Sequence, residues 1–407
     1  MLRLNLLTVF LLLSLNVLII IDCSLVLDSV FVVLRHGDRN PYYVYPNDPF
    51  DKTYWNEHGG VGNLIEKGEK RIKVAAKFYQ EQYATLLNNN NDDHVITSTV
   101  KRAIQTAEIF MKEMNKTATF ERNDKMLNIN AKCEKAKKSQ DDWLLKKSEE
   151  LMPNDTFIRY IANKTGENYG ENVLDNLIHL ADLADALKVE RDQLKLNVSE
   201  WITDPETVTI LSELDKKAFA EMTYPHEVRR LRAGLLLKNI RDQMENKNSS
   251  QKFHLYSTHD YNQILLLQIL NSYDHLGENN LVPPTYVSGV VFEVYRNETD
   301  ENQQDKWIRF IYRQFLDDDN NNDTNTITKL DTHLLPEICK TELEFHDGTV
   351  INVEKFCTWQ QFTNELMKDL IPENWDKECN DNGSMSSRSS MILFVIIVSI
   401  AIMMNYF

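Results

Sequence analysis

The sequence predicts an α/β fold with a mainly parallel sheet as its core and a smaller, mostly helical cap. Apolar runs of strand length, such as Val30 to Leu34, are each followed by a loop and then by a helical pattern. This order is typical of parallel strands joined by helices. Between about Asn130 and Arg241 helical periods dominate and strand-like runs are scarce, and this change predicts the cap.

The composition is that of a globular protein that does not bind nucleic acid. The chain has 407 residues, of which 42% are hydrophobic and 26% charged, enough for a full core. Its formal net charge of -16 would repel nucleic acid unless a basic patch were set apart. Lysines at 132–138 are interleaved with acidic residues, which predicts solvated helix faces.

The first 24 residues predict a secretory signal peptide. Arg3 precedes a nearly continuous apolar run from Leu4 to Ile21, and small or polar residues follow at 22–24. The apolar run is on the long side for a signal peptide, so an uncleaved anchor is the alternative.

The last residues, 380–407, predict attachment to a membrane. A polar spacer at 380–390 precedes an apolar run from Met391 to Met404. At ~1.5 Å per residue a helical run of this length spans roughly 21 Å, less than the ~30 Å of a hydrocarbon core. A lipid-anchor signal and a short single-span anchor both fit. Either would tether the protein at the outer side of a membrane.

Asparagine sequons and cysteines independently predict an extracytoplasmic protein. Apart from Cys23, four cysteines remain, an even number that predicts two disulfides with three possible pairings. Zinc binding is the weaker alternative, because the chain has no Cys-x-x-Cys or His-x-x-x-His spacing. The four cysteines are Cys133, Cys339, Cys357 and Cys379. The candidate glycosylation sites are Asn115, Asn154, Asn163, Asn197, Asn248, Asn297, Asn322 and Asn382.

The first part of the core, residues 25–129, contains two predicted strand–loop–helix units. Val30 to Leu34 is continuously apolar, as expected for a strand covered on both faces. Tyr42 to Trp55 contains Pro46 and Pro49 and is expected to lack regular structure. A helix at 68–87, a strand at 94–97 and a helix at 102–114 follow.

The predicted cap covers residues 130–241, and the core resumes at 242–379. Helical periods cover 171–187, 208–219 and 228–244. A strand at 253–257 leads to an apolar helix at 264–270. Residues 287–295 and 307–315 alternate, which predicts antiparallel strands, and the Asn/Asp tract at 317–326 predicts a surface loop.

Histidine and charged residues directly follow two of the predicted strands. Arg35, His36 and Arg39 come after the first strand, and His259 and Asp260 come after the strand at 253–257. Carboxyl ends of parallel strands meet at one edge of a sheet, where ligands bind. These side chains are therefore expected to lie close together.

This set of residues suits phosphoryl transfer. The paired N–H donors of an arginine guanidinium match phosphate oxygens. Arg102, at the start of the helix at 102–114, could add a third guanidinium to those of Arg35 and Arg39. Neutral His36 can attack phosphorus, and protonated Asp260 can give its proton to the leaving alcohol. His259 would donate a further hydrogen bond to the phosphoryl oxygens.

Each of three residues has another interpretation when taken singly. Asp260 could be a helix N-cap, His259 a core histidine, and Arg102 a solvated helix residue. The joint occurrence at strand ends favours the catalytic interpretation. Other catalytic schemes lack their motifs, since the chain has no Gly-x-Ser-x-Gly, no Walker-type loop and no His-Glu-x-x-His.

Two motifs resemble those of the histidine acid phosphatases. Residues 35–41 match the family signature Arg-His-Gly-x-Arg-x-Pro, and His259-Asp260 matches its downstream His-Asp motif. The similarity runs from about Leu25 to Cys379, most closely to the prostatic and lysosomal branch and to insect relatives. It implies a phosphoglycerate-mutase-like α/β core with a helical cap, no metal or other cofactor, and a possible homodimer.

The resemblance also implies a role for each matching residue. His36 corresponds to the phosphorylated nucleophile and Asp260 to the proton donor. The implied phosphate pocket consists of Arg35, Arg39, Arg102 and His259. The implied disulfides are Cys133–Cys379 and Cys339–Cys357.

The chain departs from the family pattern near Arg102. Ile96 stands where the family usually has a first arginine, and Lys101 stands where an acid is common. The assignment of Arg102 to the pocket therefore rests on less than that of Arg35 or Arg39. A third disulfide of the mammalian branch has no cysteines here.

The predicted function is hydrolysis of phosphate monoesters, with a small molecule or a phosphopeptide as substrate. One alternative within the superfamily is a phosphatase for lysophosphatidate or inositol polyphosphates. Another is a secreted binding protein on a decayed phosphatase fold, which the intact motif residues argue against. The expected location is secreted, cell-surface or lysosomal.

Overall fold

A computed structural model describes residues 25–87, 93–246, 250–273, 284–297, 306–317, 327–339, 342–344, 350–352 and 356–380. The predicted signal peptide, the C-terminal segment from residue 381 and residues 318–326 of the predicted surface loop lie outside these ranges, as do Asn248, Asn322 and Asn382. In the described ranges, no helix is both long and apolar enough to cross a membrane.

One mixed sheet of eight strands forms the centre of the described part of the chain. Its strands are β1 (Leu25–Arg35), β2 (Asp93–Thr97), β3 (Ala118–Arg122), β4 (Phe253–Thr258), β5 (Gly289–Asn297), β6 (Lys306–Asp317), β7 (Ile327–Leu334) and β10 (Cys357–Thr358). β8 (Glu342–Glu344) and β9 (Val350–Asn352) pair separately.

Half of the large sheet is parallel and half is antiparallel. β1, β4, β2 and β3 lie side by side in that order and run parallel. On the other side of β1 come β5 and β6, which pair antiparallel, and β7 and β10 both pair with β6. Only residues 298–305 separate β5 from β6, too few for the crossover that a parallel pair needs. The predicted α/β fold and the predicted antiparallel pair are confirmed, and the sheet is mixed rather than mainly parallel.

The described helices are numbered in chain order. They are α1 (Lys52–Glu57), α2 (Glu66–Gln82), α3 (Ala84–Leu87), α4 (Lys101–Glu113), α5 (Asp124–Leu127), α6 (Glu134–Leu151), α7 (Asp155–Thr165), α8 (Val173–Lys188), α9 (Glu200–Thr203), α10 (Pro205–Thr223), α11 (His226–Glu245), α12 (Asp260–Ile269) and α13 (Trp375–Asn380). π-helical turns cover Val189–Gln193 and Gln361–Leu366.

β1 is buried on both faces, which explains its continuous apolar run. Val30, Val32 and Leu34 join one hydrophobic cluster with α2 and α4. Phe31 and Val33 point to the other face and join a cluster with α11 and α12. The central strand therefore ends in a fully packed environment, so the residues after it have a fixed position.

Helices α6 to α10 bury a hydrophobic cluster of their own, which includes Leu144, Ile161, Leu180 and Leu211. α11 is different, because its apolar side packs against the sheet. The predicted boundary at residue 241 assigns α11 to the cap, whereas its packing places it with the core. The division into core and cap otherwise stays a prediction.

Two disulfides are present, with the pairing that the family resemblance implied. Cys133 bonds to Cys379 and Cys339 bonds to Cys357. The first bond joins the residue before α6 to α13, across 246 residues of sequence. It therefore holds the end of the described chain against the start of the helical region.

The segment from Tyr42 to Trp55 is more regular than expected. Helix α1 covers Lys52–Glu57, with Asp51 accepting a hydrogen bond from the Tyr54 amide. The prolines precede this helix, so they do not prevent it.

Four sequon asparagines, at 115, 154, 163 and 197, are exposed. Asn297, at the end of β5, is buried, and its burial counts against a glycan there.

Candidate active site

Three neighbouring parallel strands deliver the predicted site residues to one edge of the sheet. Arg35, the last residue of β1, is in register with Thr258 of β4, and Thr97 of β2 is in register with Ser257. The residues that follow these strand ends therefore meet. His36 and His259 lie with ring centroids 5.3 Å apart.

His36 is held as a neutral imidazole whose two ring nitrogens have different hydrogen-bonding roles. Nδ1 lies 2.9 Å from the carbonyl oxygen of Gly37, an acceptor only, so Nδ1 carries the proton. Nε2 accepts a hydrogen bond of 2.9 Å from Nε of Arg102. Burial, Arg102, His259 and Arg35 together hold the pKa of His36 well below its usual range. Nε2 is therefore the atom of this ring that carries a lone pair suited to nucleophilic attack at acid pH.

Arg35 lies between the two motifs. Its Nη2 is 2.6 Å from Oδ2 of Asp260, and its Nη1 donates to the carbonyl of Pro284. The guanidinium also lies 4.2 Å from the ring centroid of Tyr286. An anion that binds Arg35 must therefore compete with Asp260.

Asp260 is the first residue of α12, and His259 occupies the N-cap position. The interpretation of Asp260 as an N-cap is therefore wrong, although its Oδ1 accepts a hydrogen bond from the next amide, that of Tyr261. Burial opposes ionisation of Asp260, but Arg35, His259 and Arg39 outweigh it and hold the pKa of this carboxyl below its usual range.

Arg39 is fixed by an acid from the helical region. Its Nη2 lies 3.0 Å from both carboxylate oxygens of Asp185, on α8. The guanidinium also stacks 4.7 Å from the ring centroid of Tyr42, whose hydroxyl donates to Asp182 on the same helix. Although burial opposes it, Asp185 raises the pKa of Arg39 above its usual range.

Arg102 differs from the other two arginines because it has no acidic partner among the described residues. It is the second residue of α4. Burial and the nearby Arg39 lower its pKa to about 10, against the opposing effect of Asp260. A partly buried cation without a counter-ion is a site that an anion would complete.

His259 is held by a residue that the sequence interpretation did not include. Its Nε2 lies 3.0 Å from Oγ of Ser98, directly after β2. Burial and Arg102 lower the pKa of His259 to about 3, against the opposing effect of Asp260. His259 is therefore neutral and can donate one hydrogen bond without adding charge.

A buried ion pair anchors the loop after β1 to α2. Asp38 is fully buried and accepts from Arg71 of α2 at 2.7 and 3.0 Å. The amide of Gly37 donates to Oγ1 of Thr106, on α4. These contacts connect the loop to both helices on that face of the sheet.

Gly37 is required by close packing rather than by a turn. It is absent from the glycines with positive φ, whereas a Cβ on it would lie 2.8 Å from Cδ1 of Ile72 and 3.1 Å from the carbonyl of Gly68. A Cβ on Gly68 would in turn lie 2.3 Å from the carbonyl oxygen of Asp38. The loop and α2 therefore touch backbone to backbone.

A cavity of about 190 Å³ adjoins Arg35 and Asp260. Tyr286 borders it on the sheet side, and Asp185, Lys188 and Asp215 border it on the helical side. In the described part of the chain, no group of three or more His, Cys, Asp or Glu residues is arranged to hold a metal ion.

All six predicted site residues thus lie around one point. The sequence interpretation missed Ser98, Asp185 and Tyr286, which also contact them. Asp185 had a signal, because Asp182 and Asp185 interrupt an otherwise Leu/Ala-rich helix. The sequence contains no comparable signal for Ser98 or Tyr286.

Comparison with known proteins agrees with this geometry. The sequence model of the histidine phosphatase superfamily, branch 2, matches residues 26–313. The chain belongs to this family. Prostatic acid phosphatase of Bos taurus is 24% identical over 380 residues, covering 86% of this chain and 87% of that protein. Lysosomal acid phosphatase of Xenopus laevis is 23% identical, covering 91% and 84%.

Solved structures of phytases share the fold. The phytase of Citrobacter braakii superposes with a TM-score of 0.61 and 17% identity, covering 88% of this chain and 99% of that one. The Hafnia alvei phytase superposes with a TM-score of 0.60 and 15% identity, with the same coverage. At these identities the likeness concerns the fold alone.

Proposed function

We propose that the protein is an acid phosphatase that hydrolyses phosphate monoesters through a phosphohistidine intermediate on His36. The observation that carries the proposal is the hydrogen bonding of the His36 ring, in which Nδ1 donates to the Gly37 carbonyl and Nε2 keeps a lone pair that accepts from Arg102. The family membership and the acid phosphatases among the relatives support it.

Three arginines prepare the pocket for the phosphoryl group. Arg35 and Arg39 exchange part of their contacts with Asp260 and Asp185 for phosphate oxygens, and Arg102 gains the counter-ion that it lacks. Arg102 must leave Nε2 of His36 to reach the phosphate, and this movement exposes the lone pair. Neutral His259 adds a hydrogen bond as charge builds on the phosphoryl oxygens.

The reaction then has two balanced steps. Nε2 of His36 forms a bond to phosphorus, the ester P–O bond breaks, and Asp260 gives its proton to the departing alkoxide. Water next attacks the phosphohistidine and loses a proton to the Asp260 carboxylate, and the P–N bond breaks to release orthophosphate. His36 returns to its neutral form with Nδ1 protonated.

The ion pair of Arg35 with Asp260 explains why acid pH is needed. Without substrate the pair holds the pKa of Asp260 low, so the carboxyl has no proton to donate. A phosphate dianion that takes over Arg35 adds a negative charge beside Asp260 and raises its pKa. Acid pH then supplies the proton while His36 remains neutral.

The proposal is tested by trapping the intermediate. The full-length protein is mixed with a labelled aryl phosphate at acid pH and quenched in alkali, where a P–N bond survives. Label on His36 is expected in the wild type and absent from His36→Ala. His226→Gln, a change at an exposed histidine of α11, is the matched control and should be labelled normally. Turnover without label, or full activity of His36→Ala, would contradict the mechanism.

For the cellular location, we propose an extracytoplasmic enzyme with a signal peptide at 1–24 and glycans on exposed sequons. The two disulfides support this location. Treatment with an endoglycosidase should lower the apparent mass of the secreted protein, and sequencing of its amino terminus should begin near residue 24. An unchanged mass, or an intact Met1, would contradict the respective part.

A C-terminal tether at 380–407 completes the proposal for the location. Release from cells by a phosphatidylinositol-specific phospholipase would identify a lipid anchor, and resistance together with detergent solubility would identify a single span. Recovery of all activity in the medium, with residues 391–404 intact, would contradict both.

A homodimer is also proposed. β3 ends the parallel half of the described sheet and has an exposed outer edge, where strands of two copies can pair. Light scattering of the purified protein should give twice the chain mass, and the mass of one chain would reject the dimer.

A further inference from the structure

The cavity beside Arg35 and Asp260 is where the alcohol part of a substrate must lie. A phosphate held by Arg35, with Asp260 reaching its ester oxygen, places the rest of the ester in this space of about 190 Å³. The far wall is formed by the end of α8 and by α10, which contribute Lys188, Asp215 and Phe219. A leaving alcohol in this cavity would therefore contact these side chains.

Asp215 is the unexplained residue of this wall. Its side of α10 otherwise buries Leu211, Leu214 and Ala218, yet Asp215 itself is only 7% exposed. Its Oδ1 is shielded from solvent and has no hydrogen-bond partner among the described residues. A buried, unsatisfied carboxyl oxygen costs stability, so packing alone does not account for an acid at this position.

The other three acids of the cavity wall each have a cation. Asp260 pairs with Arg35 at 2.6 Å, Asp185 with Arg39 at 3.0 Å, and Asp317 with Arg71 at 2.8 Å. No ion pair of Asp215 within 4.0 Å is found in the described ranges. Asp215 is thus the acid in this cavity that remains available to a ligand.

We propose that Asp215 binds an ammonium group on the leaving alcohol, so that the cavity selects phosphate monoesters of amino alcohols over esters of polyanionic alcohols. This inference rests on the proposed phosphatase function. An ammonium satisfies both the open hydrogen-bonding position and the charge of the carboxylate, whereas a hydroxyl satisfies only the first. A second phosphate in the same place would be repelled by the carboxylate of Asp185 and, where Asp215 is ionised, by that of Asp215 as well.

The preference should increase with pH. Burial raises the pKa of Asp215 to about 7. The charged groups that act on it are Asp185 and Asp260, which raise its pKa, and Lys188 and Arg35, which lower it. At acid pH the carboxyl is protonated and only hydrogen-bonds the ammonium. Toward neutral pH it ionises and adds the charge interaction.

The test compares two substrates of equal size on the full-length protein. Phosphoethanolamine carries the ammonium, and propyl phosphate has a methyl group in its place. The readout is the ratio of their kcat/KM values, in which effects on the shared chemistry cancel. Wild type is compared with Asp215→Asn, which keeps the shape of the side chain, and with Glu213→Gln, a change at an exposed residue two positions earlier on α10. Melting temperatures check that each variant is folded.

At pH 7.5 the ratio is expected to fall at least about tenfold in Asp215→Asn, since a neutral amide replaces the charged hydrogen-bond acceptor of the ammonium, and to stay constant in Glu213→Gln. From pH 5 to 7.5 it should rise more in wild type than in Asp215→Asn. Equal ratios in wild type and Asp215→Asn at pH 7.5 would overturn the inference. So would faster hydrolysis of ethylene glycol bisphosphate than of phosphoethanolamine. Failure to hydrolyse any of these esters or an aryl phosphate would instead reject the proposed function.

Discussion

At the residue scale, the two ring nitrogens of His36 have neighbours with opposite hydrogen-bonding roles. The Gly37 carbonyl can only accept and the Arg102 guanidinium can only donate, so one tautomer is selected. Arg102 also lowers the pKa of the imidazole. The same arginine thus keeps the nucleophile neutral in acid and, in the proposed mechanism, binds the phosphate that this nucleophile attacks.

Arg102→Gln should reduce kcat/KM for an aryl phosphate by on the order of 10²-fold near neutral pH. The loss should be larger at pH 4 to 5, because the pKa of His36 rises when Arg102 is removed and more of the imidazole is then protonated. Full pH profiles of kcat/KM measure both effects. Lys101→Gln removes an exposed positive charge next to Arg102 and is expected to leave the pH profile of kcat/KM unchanged. A loss that is equal at every pH would contradict the effect on His36.

Asp260→Ala should slow alkyl phosphates by about 10²- to 10⁴-fold and aryl phosphates with good leaving groups much less. A poor leaving group needs the proton, whereas a good one departs without it. The variant also frees Arg35 from its ion pair, so inorganic phosphate should inhibit it at equal or lower concentration. Equal rate losses on both ester types would exclude Asp260 as the acid.

The residues of this site differ in how far sequence reasoning could identify them. Arg35 to Arg39 and His259 to Asp260 are contiguous motifs at strand ends, and the local pattern is enough. Asp185 lies 146 residues from the arginine that it holds, so only the packing of α8 against the loop reveals the pair. Ser98 is similarly related to His259 through the register of β2 and β4.

At the element scale, the loop after β1 and helix α2 are in backbone contact through Gly37 and Gly68. Helices tolerate glycine poorly because it has the most backbone freedom to lose. Gly68 nevertheless occupies the first turn of α2, where Asp38 passes against it. The contact with α2 thus fixes the position of the loop that contains His36.

Gly68→Ala therefore tests a steric effect on stability that is opposite in sign to the effect of helix propensity. Propensity alone would stabilise the variant by up to about 1 kcal/mol, but a Cβ 2.3 Å from the Asp38 carbonyl oxygen forces the loop and helix apart. We expect a loss of about 1–3 kcal/mol or more and a reduced kcat. Thermal unfolding and steady-state kinetics measure these effects. Gly170→Ala, where a Cβ would meet nothing within 4 Å, is the control. A Gly68→Ala protein as stable and active as wild type would refute the contact.

Elements with a strong apolar pattern were predictable and exposed ones were not. The predicted strands at 30–34 and 253–257 and the helix at 228–244 correspond to β1, β4 and α11. β3 was missed, because Thr119 to Arg122 are exposed and a strand with little buried surface leaves no alternation to detect. Its place in the sheet comes from backbone pairing with β2, which side-chain type does not encode.

At the scale of the whole molecule, one buried acidic pair should make stability depend on pH. Glu190 is fully buried in the π-helical turn after α8, and Asp48 lies beside it. Burial and Asp48 raise the pKa of Glu190 well above its usual range, and burial also raises the pKa of Asp48. The folded protein therefore holds protons that the unfolded chain releases above its ordinary carboxyl pKa of about 4.3. The contribution of this pair to stability is full below that pH and declines as the pH rises.

The melting temperature of the wild type should accordingly be several degrees lower at pH 8 than at pH 5, with each unit of pKa difference worth about 1.4 kcal/mol. Glu190→Gln cannot ionise and should have a smaller difference between the two pH values. Glu206→Gln, an exposed acid of α10, provides the control and should behave as wild type. An equal difference in melting temperature between pH 5 and pH 8 in Glu190→Gln and wild type would contradict the assignment of this pH dependence to Glu190.

The order of strands in the sheet has a consequence for biosynthesis. The neighbours of β1 are β4 and β5, and Val30 pairs with Phe253, so a ribosome must complete the residues up to β4 before the central strand has any partner. At roughly 5–20 residues per second this takes on the order of 10–40 s. During that interval the apolar side chains of β1 are a target for chaperones or for aggregation. A nascent chain released before β4 is complete would contain the His36 loop but lack Asp260, the proposed proton donor.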